Sequence, residues 1–393
     1  MYREVRENRR RHTNSHRQPF TGFALSLFLL LLLASCGSAQ AATTTTETQH
    51  IVKRNVPATT KTIALGAQPC PTTAASTDYW SAVVGIQREQ NSIAKVSCGH
   101  LEGNDTLQAL VEVDYNGASG GVKDIYVYDQ ITGPAPTKIL ELKDLYQGDA
   151  RISGYNTVIT REVDWNSSIN KGQSSDSVQR DLYREFKWAP GANGMLPIAF
   201  RGFYPDLTRY QAETDQQQVS KSHEQWKLDP RQVAQHMASN LLNWSGASQA
   251  RILKQQGVDA TISLKNAGQD GGTITVTLSR LEGRSDGIWL VTQVDSDALL
   301  ITQPTPLDHL ARNFTLTGKG PTGVSGQVKV FDHLYNEIGS VSTTSAGNGA
   351  TTFHATVSYT PTFNKGSEDG ILALFVQKGN AIQGAVMFKA LLG

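Results

Sequence analysis

The chain has 393 residues, with 36 Lys and Arg against 35 Asp and Glu and a formal net charge of +1. Residues 1–35 hold six of the basic and two of the acidic groups, leaving 30 against 33 beyond them. That near-balance excludes an electrostatic case for nucleic acid or for a polybasic membrane patch, and the length leaves room for two or three domains of about 150 residues.

In chain order the first element is a leader. Arg3, Arg6, Arg9, Arg10, Arg11 and Arg17 precede an apolar run from Phe23 to Leu33, which ends on Leu33-Ala34-Ser35-Cys36. A basic region, a short apolar region and small residues are the layout of a secretory signal. The run falls well short of the ~20 residues that a spanning helix needs. The Leu-Ala-Ser-Cys ending resembles the lipobox of bacterial lipoproteins. That resemblance implies cleavage before Cys36, a lipid on the Cys36 thiol and an extracytoplasmic protein anchored to the bacterial membrane by its acyl chains. Residues 1–35 are then the signal peptide, and 36–69, rich in Thr and Ala with little apolar periodicity, read as a disordered tether.

Cys36, Cys70 and Cys98 are the three cysteines. With Cys36 acylated, two remain in an oxidising compartment, which predicts a Cys70–Cys98 disulfide over two free thiols or a metal pair. Two cysteines without a supporting histidine cluster make a poor zinc site.

Residues 70–214 predict a β-rich or α+β domain. Tyr79 to Ile86 reads as a short helix or strand. Ile93 to Val96, Leu107 to Tyr115, Ile125 to Tyr128, Thr157 to Trp165, Leu182 to Trp188 and Leu196 to Tyr204 read as strands between Gly and Asn clusters. Asn166 to Ser177, polar and Ser-rich, reads as a mobile loop. Residues 215–302 predict a small α+β domain, opening on a polar helix or connector over 214–228. Asp229-Pro230 supplies an N-cap and an N1 proline, and Val233, Met237, Leu241 and Trp244 form one helical face. Ala260 to Leu264, Thr273 to Leu281 and Ile288 to Val294 are the partner strands, with Trp289 in their core.

Gln303-Pro304-Thr305-Pro306 marks the next boundary. Residues 303–393 then read as strands and turns at roughly ten-residue spacing, a β-sandwich expected to fold alone with Val328, Val330, Val357, Leu372 and Leu374 in one core. Asp332 and His333 are expected in a turn where substitution costs little. Thr317-Gly318, Val328-Lys329-Val330 with Asp332 and Gly339, Phe353 to Tyr359, and Gly370 to Val376 resemble the immunoglobulin-like domain associated with bacterial spore germination proteins. The resemblance departs at Pro321-Thr322-Gly323-Val324, where an aromatic-Glu step is expected. It implies a cell-surface or envelope module and no catalytic residues.

Chemistry-bearing motifs are weak. Gly117 to Gly121 matches G-x-S-x-G, but strands flank it on both sides, and a nucleophile elbow needs a strand turning into a helix. The oxygens of Glu102, Asn104 and Asp105 lack the order of a calcium loop, and Gly268 to Gly272 precedes a strand, so it reads as a hairpin turn. His50, His100, His223, His236, His309, His333 and His354 show no metal-ligand spacing; His236 and His354 read as partly buried, satisfied side chains. No catalytic residue, metal site or cofactor is expected. Among Tyr79, Trp80, Tyr126, Tyr128, Trp165, Phe186 and Trp188, an exposed subset is a candidate surface for a glycan or peptide. The reading is therefore a multidomain, β-rich, lipid-anchored envelope protein that binds or scaffolds at the cell surface. Its partners are the membrane and an envelope protein or glycan. The alternative is an envelope hydrolase whose site is assembled within 70–214.

Overall fold

Two four-stranded antiparallel sheets, each a simple meander, open the folded region. The computed structural model describes residues 63–393 apart from 118–120, 134, 245–247, 269–270, 298, 321–324, 345–351 and 379–380, so the expected signal, Cys36 and most of the expected tether lie outside the described residues. Ser76 caps helix α1 (Thr77–Val84) by accepting from the Tyr79 N–H, and Gly85 ends it at φ 78°. The first sheet is β1 (Asn91–Gly99), β2 (Gln108–Tyr115), β3 (Val122–Asp129) and β4 (Thr137–Tyr146).

Alternation gives this sheet two buried faces. Ala109, Val111 and Val113 turn toward α1 and the fully buried Trp80, whose Nε1 donates to the Ala74 carbonyl at 2.7 Å. Leu110, Ile125 and Val127 turn toward the second sheet. A Cys70–Cys98 disulfide, with Cα atoms 5.2 Å apart, ties the segment before α1 to the end of β1.

The second sheet is β5 (Asp149–Ile152), β6 (Val158–Glu162), β7 (Leu182–Ala189) and β8 (Gly194–Ile198). It repeats the first in sequence as well as topology. Glu112-Val113-Asp114-Tyr115-Asn116 ends the second strand of one sheet, and Glu162-Val163-Asp164-Trp165-Asn166 follows the same course in the other. Asp124-Ile125-Tyr126 and Asp181-Leu182-Tyr183 open the strands opposite: Val113 faces Asp124, and Glu162 faces Leu182, one step before Asp181.

Helix α2 (Arg209–Val219) starts at a capping box in which Thr208 accepts from the Gln211 N–H and Gln211 reaches back. The polar stretch 214–228 therefore splits into the end of α2 and a short 3₁₀ turn over Gln225–Leu228. Helix α3 (Pro230–Leu241) starts at the Asp229 cap and buries Val233, Ala234, Met237 and Ala238. It lies on β9 (Gln249–Gln256), β10 (Asp259–Lys265), β11 (Thr273–Arg280) and β12 (Trp289–Ser296). Trp289 is fully buried in that core.

The remaining strands are β13 (Leu300–Gln303), β14 (His309–Leu310), β15 (Asn313–Lys319), β16 (Ser325–Phe331), β17 (Glu337–Thr344), β18 (Thr352–Ser358), β19 (Glu368–Lys378) and β20 (Ala381–Leu392). One sheet runs β17-β16-β19-β20-β12-β11-β10-β9, with β14 parallel beside β20; β13-β15-β18 forms a separate layer over its C-terminal half. Residues 215–302 and 303–393 thus share a sheet, joined where β12 meets β20 at Gln293↔Phe388 and Val294↔Met387. Leu372, Leu374, Val386 and Phe388 enter the core under β13-β15-β18, with Val328, Val330 and Val357. Their neighbours Ile371, Ala373, Phe375, Ala385 and Met387 enter the core under α3. Gly272 is seated so close to β20 that an added Cβ would overlap the Gln383 carbonyl oxygen.

A buried ion pair also crosses this region. Lys389 Nζ lies 3.6 Å from Asp369 Oδ1 and donates to the Leu207 carbonyl, while the Phe200 N–H donates to Asp369 at 3.3 Å. Among the described residues, no helix is long and apolar enough to cross a membrane.

Candidate functional site

A pocket of about 330 Å³ opens where the turn between β5 and β6, the segment after β8, the start of α2 and the end of β11 converge. Tyr155 stands in that turn. Its backbone N–H donates to Ser153 Oγ at 3.1 Å, and its ring remains 44% exposed. Two cations lie near the ring, the Arg209 guanidinium 4.6 Å from its centroid and Lys187 Nζ at 5.4 Å. The other side of the Arg209 environment is Phe200, at 5.1 Å. Arg201, Arg280, Glu282 and Leu290 complete the parts of the wall that bear on chemistry.

Arg209 is held in place from behind. Its Nε donates to Glu185 Oε1 at 2.6 Å, and Nη1 lies 3.7 Å from Glu282 Oε1. Thr157 Oγ1 donates to the same Glu185 oxygen at 2.7 Å. Glu213, one turn along α2, accepts from the Gly154 N–H at 2.8 Å and pairs with Arg151 at 3.1 Å. Burial, then contact with the Glu282 carboxyl, raises the Glu213 pKa above the usual carboxylate range. Glu282 in the pocket wall and Glu213 behind it thus form an acid pair, clamped between Arg209 and Arg151.

A second polar cluster lies under residues 164–181. His333, expected in a cheap solvated turn, is 3% exposed, and Asp332 beside it is fully buried. The turn is real, but it packs inward. Asp332 Oδ1 accepts from the backbone of Leu334 and Asn336, both at 2.8 Å, which fixes the loop. His333 Nδ1 is hydrogen-bonded to Glu368 Oε2, and Nε2 lies 3.6 Å from Asp181 Oδ2. Burial opposes the imidazolium, but Asp181 and Glu368 outweigh it and lift the pKa to about 10. The loop over 166–177, expected to be mobile, is pinned by Asn170, whose amide donates to Asp164 and Gln179 carbonyls and to Asp181 Oδ1. Within it Ser167 and Asn170 are buried, and the other residues are exposed.

The other residues singled out in the sequence are dispersed. Cys36 and His50 lie outside the described residues, as do residues 118–120 of the G-x-S-x-G match, whose flanks are β2 and β3. The Glu102–Thr106 loop spends its oxygens internally: Asn104 Oδ1 accepts from the Thr106 N–H at 2.8 Å, and Asn104 Nδ2 donates to Glu102 at 3.0 Å. His236, expected partly buried, is exposed and stacks on Trp226 with ring centroids 4.3 Å apart. His354, expected partly buried, is exposed and lies 3.2 Å from Thr317 Oγ1. Trp80, Tyr126, Tyr128 and Phe186 are core, whereas Trp165 is 40% exposed and packs against Tyr146 at a tilt. The sequence reading missed Tyr155 and the carboxylates around His333. The duplicated Glu-Val-Asp-aromatic-Asn motif was the available signal for Asp164, and the repeated Asp-Ile-Tyr/Asp-Leu-Tyr was the signal for Asp181.

No family model matches the chain, and no curated protein matches it. Among solved structures, a glycoside hydrolase family 43 arabinoxylan arabinofuranohydrolase from Bacillus subtilis, in complex with cellotetraose, aligns with 76% of this chain and 75% of its own, at 9% identity and a TM-score of 0.16. At that score the likeness carries no argument.

Proposed function

We propose that the protein is a lipid-anchored cell-envelope protein that binds a glycan segment at the Tyr155 pocket and leaves it chemically unchanged. The observation that carries this reading is Tyr155 itself, an exposed aromatic ring held by two cations at the mouth of a pocket large enough for a small ligand. A sugar offers such a ring its flat C–H face, and its hydroxyls both donate and accept. Guanidinium donors at Arg201 and Arg280 and the Glu282 carboxylate suit that mixed demand. The lipobox supplies the address, and residues 36–69 tether the folded body to the membrane.

The hydrolase alternative would draw on Glu213 and Glu282. Glycoside hydrolysis places two carboxyl groups about 5–9.5 Å apart, on either side of the scissile bond. These two are in contact with each other, and each is engaged by an arginine, so no sugar fits between them. We also read the layers over 299–392 as the immunoglobulin-like sandwich that the C-terminal pattern resembles. The layer β13-β15-β18 lies over β17-β16-β19-β20, the C-terminal part of the nine-stranded sheet, and three strands over four is the count of a constant-type domain.

The test is retention of the purified chain on insoluble cell-wall glycan. Tyr155→Ala removes an exposed ring with no core role, so its fold should persist. Wild type should be retained and the variant should lose at least tenfold in apparent affinity. Equal retention of both would overturn the assignment of the pocket.

A further inference from the structure

The cluster around His333 has the chemistry of a metal centre, and it is independent of the Tyr155 pocket. One ligand atom from each of Asp164, His333 and Glu368 lies within 4.8 Å of the others, and all three residues are buried. Asp181, from the far end of the same loop, places Oδ2 3.6 Å from His333 Nε2. Four buried polar atoms here have no hydrogen-bond partner: Asp164 Oδ2, Asp181 Oδ2, Ser167 Oγ and His333 Nε2. Native interiors rarely leave one such atom unmet, and several converging ones call for an unseen ion or water.

The unmatched atoms are oxygens and one imidazole nitrogen. Two are carboxylate oxygens, one is a hydroxyl oxygen and one is an imidazole nitrogen, and the carboxylates outnumber the only cation the cluster's own side chains can supply. We propose that Asp164, Asp181 and His333 Nε2 bind a divalent transition-metal ion, with Ser167 beside them and Glu368 as the residue that orients the imidazole. Tetrahedral ligands about 2.1 Å from zinc stand roughly 3.4 Å apart, close to the Nε2–Oδ2 separation. Glu368 Oε2 is hydrogen-bonded to Nδ1, which leaves Nε2 facing Asp181, the usual arrangement behind a metal-bound histidine. Thr362 N–H, donating to Glu368 Oε1 at 3.1 Å, fixes that carboxylate in turn.

The imidazole favours zinc or a similar ion over calcium, which takes oxygen ligands. A small cavity of about 120 Å³ adjoins the cluster at Asp164. The ligands come from the second sheet's duplicated motif and from the β16–β17 turn, so a bound ion would clamp those two parts of the fold together.

The experiment uses the untagged full chain, stripped with a chelator and titrated with zinc chloride by calorimetry, with metal content measured by mass spectrometry. One zinc per chain and a raised thermal midpoint are expected. Asp164→Asn, nearly the same shape, should weaken zinc binding at least tenfold while the circular dichroism of the folded chain is kept. Glu368→Gln should cost about 10- to 100-fold through the oriented imidazole. A folded wild-type chain that takes up no zinc would overturn the proposal, as would uptake that Asp164→Asn leaves unchanged. Uptake of calcium in preference to zinc would overturn the transition-metal assignment. If Asp164→Asn fails to fold, Ser167→Ala and Glu368→Gln decide: zinc affinity unchanged in both overturns the proposal, and loss in Glu368→Gln supports it.

Discussion

Leu372 and Ala373 are consecutive residues of β19, and they belong to different hydrophobic cores. Leu372 packs under β13-β15-β18, and Ala373 packs under α3. The period of two in a strand makes this unavoidable once β19 and β20 are covered on both faces. Residues 303–393 therefore carry an apolar face whose cover comes from earlier in the chain.

A fragment of residues 303–393 should lack a cooperative urea transition, because Ile371, Phe375 and Met387 lose the α3-side core. A fragment starting near residue 199 supplies α2, α3 and β9–β12 and should restore one. Cooperative unfolding of the shorter piece would contradict this account. In the whole chain, Leu372→Ala should cost roughly 2–5 kcal/mol, the range for deleting a large apolar side chain from a filled core.

The disulfide closes a loop with a sequence separation of 28. Replacing both Cys70 and Cys98 by Ala should lower stability by roughly 3–4 kcal/mol on the chain-entropy account. Denaturant unfolding of the oxidised and replaced proteins measures it, and equal midpoints would show that packing alone holds the segment before α1.

Stability should depend on pH through Asp206. Burial raises its pKa from 3.8 to about 6, against a smaller opposing pull from Lys227, and its Oδ2 has no hydrogen-bond partner. The folded chain therefore holds this proton more tightly than the unfolded one. Stability is fully present below the unfolded value and is lost as pH rises through the folded one, by about 2–3 kcal/mol in total. Asp206→Asn should lack this loss, so its stability relative to wild type should improve between pH 4 and pH 7. Unfolding curves at both pH values check the sign; a difference that is constant or reversed would contradict it.

Cys36→Ser should abolish lipid attachment and cleavage at that site, since acylation needs the thiol. Mass spectrometry of the native N-terminus reads this directly. An unmodified terminus downstream of residue 36 in the wild type would leave a secreted protein without the anchor.

Helix α3 was legible because Asp229-Pro230 starts it and its apolar residues keep helical spacing. Most strands of β10 to β20 were legible because one face alternates with the other. Strand β9 was not. It is an edge strand, nearly every residue of it is exposed, and so no apolar alternation marks it. The disulfide was expected from cysteine count and the compartment that the leader implies. The metal-like cluster was illegible by spacing, since Asp164, Asp181, His333 and Glu368 meet only after a loop and a turn from distant strands pack together. Tyr155 carries no local motif at all; it matters because Arg209, some fifty residues on, stands against its ring.

The central claim is that the Tyr155 pocket holds a glycan without cutting it. Isothermal titration of the purified chain with soluble cell-wall glycan fragments, with reducing ends assayed in the same samples, tests both halves together. The account predicts saturable binding by wild type, at least tenfold weaker binding by Tyr155→Ala, and no growth in reducing ends over hours. New reducing ends that depend on Glu213 or Glu282 would establish a hydrolase, and absence of binding by wild type would remove the glycan from the account.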